Sequence, residues 1–148
     1  IVLHKQINIG IAVALEDGLL VPVIKQADEK NIVGLARTIY ELSNKARAGK
    51  LSPEDVQGGT FTVNNPGTFG TIISTPIIVQ PQAAILTMEA IIKRPVVINN
   101  AIAIRSMMYM CLSFDHRILD GLQAARFLQS VKKKLETFDP DKSGVGYR

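Results

Sequence analysis

The amino-acid sequence predicts an α+β domain in which a mixed β-sheet is layered against covering helices. Three observations point there. Val- and Ile-rich runs of strand length recur along the chain, and β-branched residues suit a pleated surface. Only two stretches repeat apolar residues at helical spacing. The strand runs follow one another across turn signals as hairpins, without the regular strand–helix alternation of a parallel α/β fold. The chain has 148 residues, 47% hydrophobic and 20% charged, enough for one domain with its own core. Aromatic residues make up 5% and tryptophan is absent, so that core has to be aliphatic.

Taken in order, Gln6 to Leu15 reads as a strand, Glu16-Asp17-Gly18 as a turn, and Leu19 to Lys25 as a second strand closing a hairpin. Pro22 pushes that second strand toward a sheet edge or a bulge, because it has no N–H to give a ladder. Asn31 is a helix cap. Behind it Ile32, Leu35, Ala36, Ile39, Leu42 and Ala46 share one helical face, and the helix should stop near Gly49. Ser52-Pro53-Glu54-Asp55 starts a further short turn, with proline at the first helical position. Thr60 to Asn64 is a strand that runs into the tight loop Asn65-Pro66-Gly67-Thr68-Phe69-Gly70. Thr75 to Val79 reads as a short apolar strand between Pro76 and Pro81. Ala83 to Ile92 has helical propensity, but together with Val96-Val97-Ile98 it is read as one long strand. Asn99-Asn100 tolerates positive φ and marks a hairpin turn. Ala101 to Phe114 is the returning strand. Asp120 caps a last helix to about Phe138, with Leu122, Ala125, Leu128, Val131 and Leu135 on one face. Asp139-Pro140-Asp141 ends it, and Lys142 to Arg148 reads as a loose tail.

Several function classes recede on composition. The net charge is +4 and the pI near 9.3, but the only dense basic cluster is Lys132-Lys133-Lys134. It lies inside the last helix, where a solvated face near a helix C-terminus explains it. No basic stripe interleaved with aromatics suggests nucleic acid. No run of about 18 apolar residues suggests a membrane span. Cys111 is the single cysteine. It cannot form an internal disulfide, which points to a reducing compartment, and its apolar neighbours suggest a buried, inert thiol. The chain opens on Ile1 directly in strand-like sequence, which suggests a fragment with an upstream part missing.

The chemistry-bearing feature is Asp115-His116-Arg117-Ile118-Leu119-Asp120-Gly121, a His-x-x-x-Asp-Gly motif between a strand and a helix. His4 is the only other histidine. Histidine titrates near neutrality and is the default base for a thiol or hydroxyl. Alone, His116 reads as readily as a structural, partly buried ring, and Asp120 as a simple helix cap. Asp115, His116 and Asp120 lack a second His or Cys at ligand spacing, which argues against zinc and leaves no metal site expected. No Gly-x-Ser-x-Gly elbow supports a serine hydrolase. Asn64 and Asn65 end a strand in a glycine loop. An amide N–H there could steady an oxyanion, although Asn65 reads better as a turn residue before Pro66.

Motifs in order then carry a resemblance: Asn8-Ile9-Gly10-Ile11-Ala12-Val13, Gly18 to Ile24, Gly58 to Asn65, Ser74 to Ile78, Pro81 to Leu86 and Leu112 to Gly121. Together they resemble the catalytic domain of the dihydrolipoamide acyltransferases, the core component of 2-oxo acid dehydrogenase complexes. The likeness extends to about Phe138, which would make residues 1–138 the catalytic domain, without its first part, and 139–148 a tail. It implies a chloramphenicol-acetyltransferase-like fold that forms trimers with active sites between subunits, and trimers that build a hollow cubic or dodecahedral core. It also implies transfer of an acyl group from a dihydrolipoyl arm to coenzyme A. The arm would sit on a separate domain outside this chain, and the decarboxylase and dihydrolipoamide dehydrogenase would be partners. The location would be bacterial cytoplasm or mitochondrial matrix.

By this resemblance His116 is the base for the coenzyme A thiol, Asp120 orders the site, and Asn64, facing them across a subunit interface, stabilises the oxyanion. The family usually has Ser or Thr where this chain has Asn64. The Asn-Asn pair and Gly-x-Phe-Gly loop resemble branched-chain-type members, and Ser-Thr-Pro-Ile-Ile resembles succinyltransferases, so branched-chain, acetyl and succinyl groups all stay open. No residue is assigned to coenzyme A; Lys93, Arg94 and the Lys132 cluster are charged candidates only. A non-catalytic assembly core of such a complex, and a free-standing acetyltransferase of the chloramphenicol type, are the competing readings.

Overall fold

The computed structural model describes residues 1–141. The predicted tail from Lys142 lies outside the described residues. The first hairpin forms, but each of its predicted strands is divided. β1 (Ile9–Ile11) pairs antiparallel with β4 (Val23–Ile24), and β2 (Val13–Leu15) with β3 (Gly18–Leu20). The break falls where Pro22 cannot donate: Ile11 N–H still reaches Pro22 O at 2.9 Å, while Ala12 N–H turns to Val63 O at 3.1 Å. β2–β3 thereby leaves as a ribbon of its own, and β4 becomes the edge of the main sheet.

That sheet has five strands in the order β4-β1-β5-β6-β9, with β5 at Phe61–Asn64, β6 at Ala84–Met88 and β9 at Met110–Phe114. β1, β5 and β6 run parallel, whereas β4 and β9 are antiparallel to their neighbours. The sheet is therefore mixed, as expected. Asn8 fastens its start: its carboxamide donates to Gly58 O and accepts from Gln26 N–H, both at 2.9 Å. Gly10 lies where three segments meet, and a Cβ there would stand 2.8 Å from Val21 Cγ1 and 3.0 Å from Thr62 Oγ1.

The predicted strand at Thr75 to Val79 does not form; this stretch is irregular. Pro76 removes one ladder donor, and among the described residues no strand pairs with this stretch, so Ile77 stays exposed. The long strands predicted after it are also divided. β7 (Ile92–Ile98) and β8 (Ala101–Met107) form a separate two-stranded ribbon, turning at Asn99 and Asn100 with φ of 49° and 62°. Pairing is Thr87 with Cys111 in β6–β9 but Ile92 with Met107 in β7–β8. The register therefore slips by one residue through Ala90 and Ile91, the signature of a bulge that kinks both strands.

α1 (Ile32–Arg47) is capped by Asn31 Oδ1, which accepts from Gly34 N–H at 2.8 Å. It buries Leu42 with Ile24 and Ala27, while Ile9, Ile11, Leu35 and Ile39 pack around them, and Ala46 is buried further along the helix. α2 (Pro53–Val56) is the expected short turn, with a Ser52 capping box. α3 (Gly121–Glu136) ends two residues before the predicted Phe138. Its buried stripe also differs from the prediction. Ala124 is buried, Leu128 and Val131 are half-buried, and Phe127 meets Phe61 with ring centroids 5.6 Å apart. Leu122, Ala125 and Leu135 are exposed, because α3 packs chiefly against β9 and meets the sheet at Phe61.

Register partners share a face of a sheet, so the pairing divides this one cleanly. Ile9, Ile11, Phe61, Val63, Ala84, Leu86, Met88, Leu112 and Phe114 point toward the helices. Thr62, Asn64, Thr87, Cys111 and Ser113 point the other way, with Ile85 among them. The irregular segment 71–82 covers this polar face. Gln82 Oε1 accepts from Thr62 Oγ1 at 2.6 Å, and Ser74 Oγ lies 3.2 Å from Thr87 Oγ1.

Candidate active site

β9 delivers the histidine. Asp115 N–H bonds Ala83 O at 2.8 Å, continuing the ladder by one residue, and the chain then turns over 116–118. Asp115 O receives the N–H groups of Ile118 and Leu119 at 3.0 and 3.1 Å. The Asp115 carboxylate accepts from Arg117 N–H at 2.9 Å, from its Nε at 2.9 Å and from its Nη2 at 2.6 Å. These side-chain and backbone hydrogen bonds, with the guanidinium charge, hold the Asp115 carboxyl down at about 2 and raise Arg117. The clamp spans His116, which is left exposed with its ring centroid 5.3 Å from that of Phe114.

Asp120 is the cap of α3. Its Oδ1 accepts from Gln123 N–H at 2.9 Å, and Gln123 Oε1 accepts from Asp120 N–H at 3.0 Å. This reciprocal box satisfies two donors and directs the helix N-terminus toward the histidine turn.

Asn64 ends β5, half-buried on the polar face and in register with Thr87. Thr87 is in turn level with Cys111, whereas His116 lies beyond Phe114 at the other end of β9. Three strand residues alone span about 10 Å, and β5 and β9 are two strand spacings of about 4.8 Å apart. One chain therefore does not bring Asn64 to His116.

Beside Asn64 lies a cluster that the sequence reading passed over. Glu89 is 2% exposed, and its Oε1 accepts from Ser74 Oγ at 2.5 Å and from Thr87 Oγ1 at 2.7 Å. Its Oε2 is buried without a hydrogen-bond partner among the described residues. The clue available in sequence was Thr87-x-Glu89, two polar residues two apart in an apolar strand and so on one face. Cys111 also faces this side and is half-buried, less enclosed than predicted.

Two of the charged candidates are engaged elsewhere. The Arg94 guanidinium lies 5.2 Å from the Tyr109 ring centroid, and Lys132 Nζ is 3.8 Å from Glu136. A broad open cleft of about 1040 Å³ between the β2–β3 ribbon and the end of α1 includes Arg47 and Phe69 but none of His116, Asp120 or Asn64. The three candidate residues therefore lie outside this cleft, with His116 at the turn that follows β9.

A mixed sheet with both long helices on its apolar face and a histidine turn leading into an acid-capped helix defines an acyltransferase catalytic-domain fold. The family profile for the 2-oxoacid dehydrogenases acyltransferase (catalytic domain) matches residues 1–143. This chain belongs to that family. It is 59% identical over 140 residues to the lipoamide acyltransferase component of the branched-chain alpha-keto acid dehydrogenase complex of Bacillus subtilis, covering 94% of this chain and 33% of that protein. It is 48% identical over 136 residues to the mitochondrial succinyltransferase component of the 2-oxoglutarate dehydrogenase complex of Bos taurus, covering 92% and 30%. A crystal structure of a probable dihydrolipoamide acetyltransferase from Listeria monocytogenes superposes with a TM-score of 0.94 at 55% identity, over 98% of this chain and 62% of that one. The Azotobacter vinelandii dihydrolipoamide acetyltransferase, studied for the role of a serine, a histidine and an asparagine in its mechanism, superposes with a TM-score of 0.88 at 39% identity, over 90% and 55%. The chain thus spans about a third of the length of these curated relatives.

Proposed function

We propose that this chain is the catalytic part of a dihydrolipoamide acyltransferase, moving an acyl group from a dihydrolipoyl arm to coenzyme A in a 2-oxo acid dehydrogenase complex. The observation that carries the reading is one of spacing. The serine, histidine and asparagine studied in the Azotobacter protein stand 52 and 4 residues apart, and the same intervals separate Asn64, His116 and Asp120 here. His116 takes the coenzyme A thiol proton, a modest demand since a free thiol titrates near 8.5. The thiolate attacks the thioester carbon, and Asn64 Nδ2 donates to the oxyanion that forms. Collapse expels the dihydrolipoyl thiolate, which recovers the proton from His116. Asp120 holds the turn and helix start in place.

His116 and Asn64 meet only if a second copy supplies one of them, so the working form is a homo-oligomer: a trimer with sites at its interfaces, built into a larger hollow core. The β7–β8 ribbon supports this. Pro95, Val97, Ile102 and Ile104 share one face of it, with Ile102 82% exposed. An isolated two-stranded ribbon is marginal in water, and an apolar face of this kind wants a partner. Decarboxylase and dihydrolipoamide dehydrogenase components would dock on that core, in bacterial cytoplasm or mitochondrial matrix. Among the described residues no helix is long and apolar enough to cross a membrane.

Acyl transfer between acyl-dihydrolipoamide and coenzyme A tests the reading. The full-length parent should turn over, and His116→Ala should lose about 10²- to 10⁴-fold with assembly intact. A variant as fast as its parent would remove the base assignment. Asn64 in place of the usual Ser or Thr favours one second reading, a non-catalytic assembly core. A parent that assembles but transfers no acyl group from any donor would establish it.

A further inference from the structure

We infer that Arg117 is a positioning residue for the base: closed onto the Asp115 carboxylate, it braces the one backbone position between them and so aims the His116 imidazole. This rests on the acyltransferase reading and adds a residue to its machinery.

The brace is local, and both of its ends are tied down. Asp115 Oδ1 accepts from Arg117 N–H at 2.9 Å, which closes an Asx-type turn around the His116 backbone. The Arg117 side chain then folds back over the same carboxylate, with Nε to Oδ1 at 2.9 Å and Nη2 to Oδ2 at 2.6 Å. A planar guanidinium makes this side-on fork and an ammonium group does not. Asp115 is itself anchored. Its N–H bonds Ala83 O, beside the start of β6, and its carbonyl oxygen receives Ile118 and Leu119 N–H. One end of the turn is thereby fixed to the sheet and the other to the approach to α3.

The histidine is a side chain that such a brace would serve. His116 is exposed, and its imidazole leans on the Phe114 ring with centroids 5.3 Å apart and planes tilted by 38°. A ring contact limits where the imidazole lies but directs its nitrogens less sharply than a hydrogen bond does. Direction is then left to the His116 backbone, which the Asp115–Arg117 closure holds from both sides. An error of about 1 Å in the placement of a reacting group costs on the order of a hundredfold in rate, whereas an exposed ion pair adds little to stability. The effect of Arg117 therefore belongs in turnover more than in folding. The Asp115 carboxyl, held down at about 2 by Arg117, stays charged wherever a histidine serves as a base, so the brace is closed when the base is in use.

The test is acyl transfer to coenzyme A by the full-length, assembled protein. Arg117→Gln should lower kcat about tenfold, with the KM for coenzyme A within about twofold of the parent. Arg117→Lys keeps the charge without the fork and should fall nearer to the Gln variant than to the parent. The sharpest comparison adds Arg117→Gln to His116→Ala. No further loss is expected there, because a residue that acts through the base has nothing left to aim. The same loss with and without His116 would overturn the inference. So would an Arg117→Gln variant as fast as its parent, or one whose loss lies in the KM for coenzyme A. The split between kcat and KM stands even where the His116→Ala background is too slow to measure. A parent that transfers no acyl group, or a His116→Ala variant as fast as the parent, would instead overturn the reading beneath it.

Discussion

At the residue scale, the histidine turn is held by a local ion pair whose pH dependence can be worked out. Arg117 keeps the Asp115 carboxyl at about 2 in the folded chain, against an ordinary value of 3.8. A folded-state value below the unfolded one means that the unfolded chain takes up the proton first on acidification. The stability contributed by the pair is therefore present above about pH 4 and is lost as pH falls toward 2. Arg117 is 82% exposed, so solvent screens the pair and the effect is small. Urea midpoints of the parent and Arg117→Gln should differ modestly at pH 6 and converge as pH falls to 2. A difference that persists undiminished at pH 2 would mean that Arg117 acts by packing and not by charge. The pair's other consequence is geometric: it fixes the turn while leaving His116 free for a ligand.

At the element scale, what the residues announced depended on whether local chemistry or a distant partner decided the outcome. Asn31, Ser52 and Asp120 were legible as caps because a cap is closed by residues three positions away, and all three close as expected. Asn99-Asn100 was legible for the same reason. The division of the long strands was not, since the slip between β6–β9 and β7–β8 exists only in the pairing. Thr75 to Val79 had strand composition but found no neighbour. The buried stripe of α3 was misplaced because the sheet meets Ala124 and Phe127, while Leu122 and Leu135 face away. Of the candidate site, His116 and Asp120 were legible as a motif. Glu89 was hidden at the end of the apolar run Ala83 to Met88, just past β6. The loop after β5 offers a direct check on that packing. Gly67→Ala should destabilise the fold by about 1–3 kcal/mol, because the added methyl meets the Glu89 and Ala90 backbone and not a movable side chain. A thermal melt unchanged from the parent would show that the loop stands clear of β6.

At the scale of the whole molecule, one chain is an incomplete device. Its apolar sheet face is well covered by α1 and α3, yet the β7–β8 ribbon extends with Ile102 and Ile104 in the open, and Asn64 and His116 occupy opposite ends of the sheet. A second copy resolves both features at once. In a ring of identical subunits each site would take His116 from one chain and Asn64 from the next. The most direct measurement is complementation: His116→Ala and Asn64→Ala chains, each of low activity alone, are co-expressed so that they assemble together, and acyl transfer to coenzyme A is assayed. Random mixing leaves about a quarter of the interfaces with both residues intact, so the account predicts recovery of roughly that share of the parent rate. Mixed assemblies no more active than the two variants measured separately would contradict it.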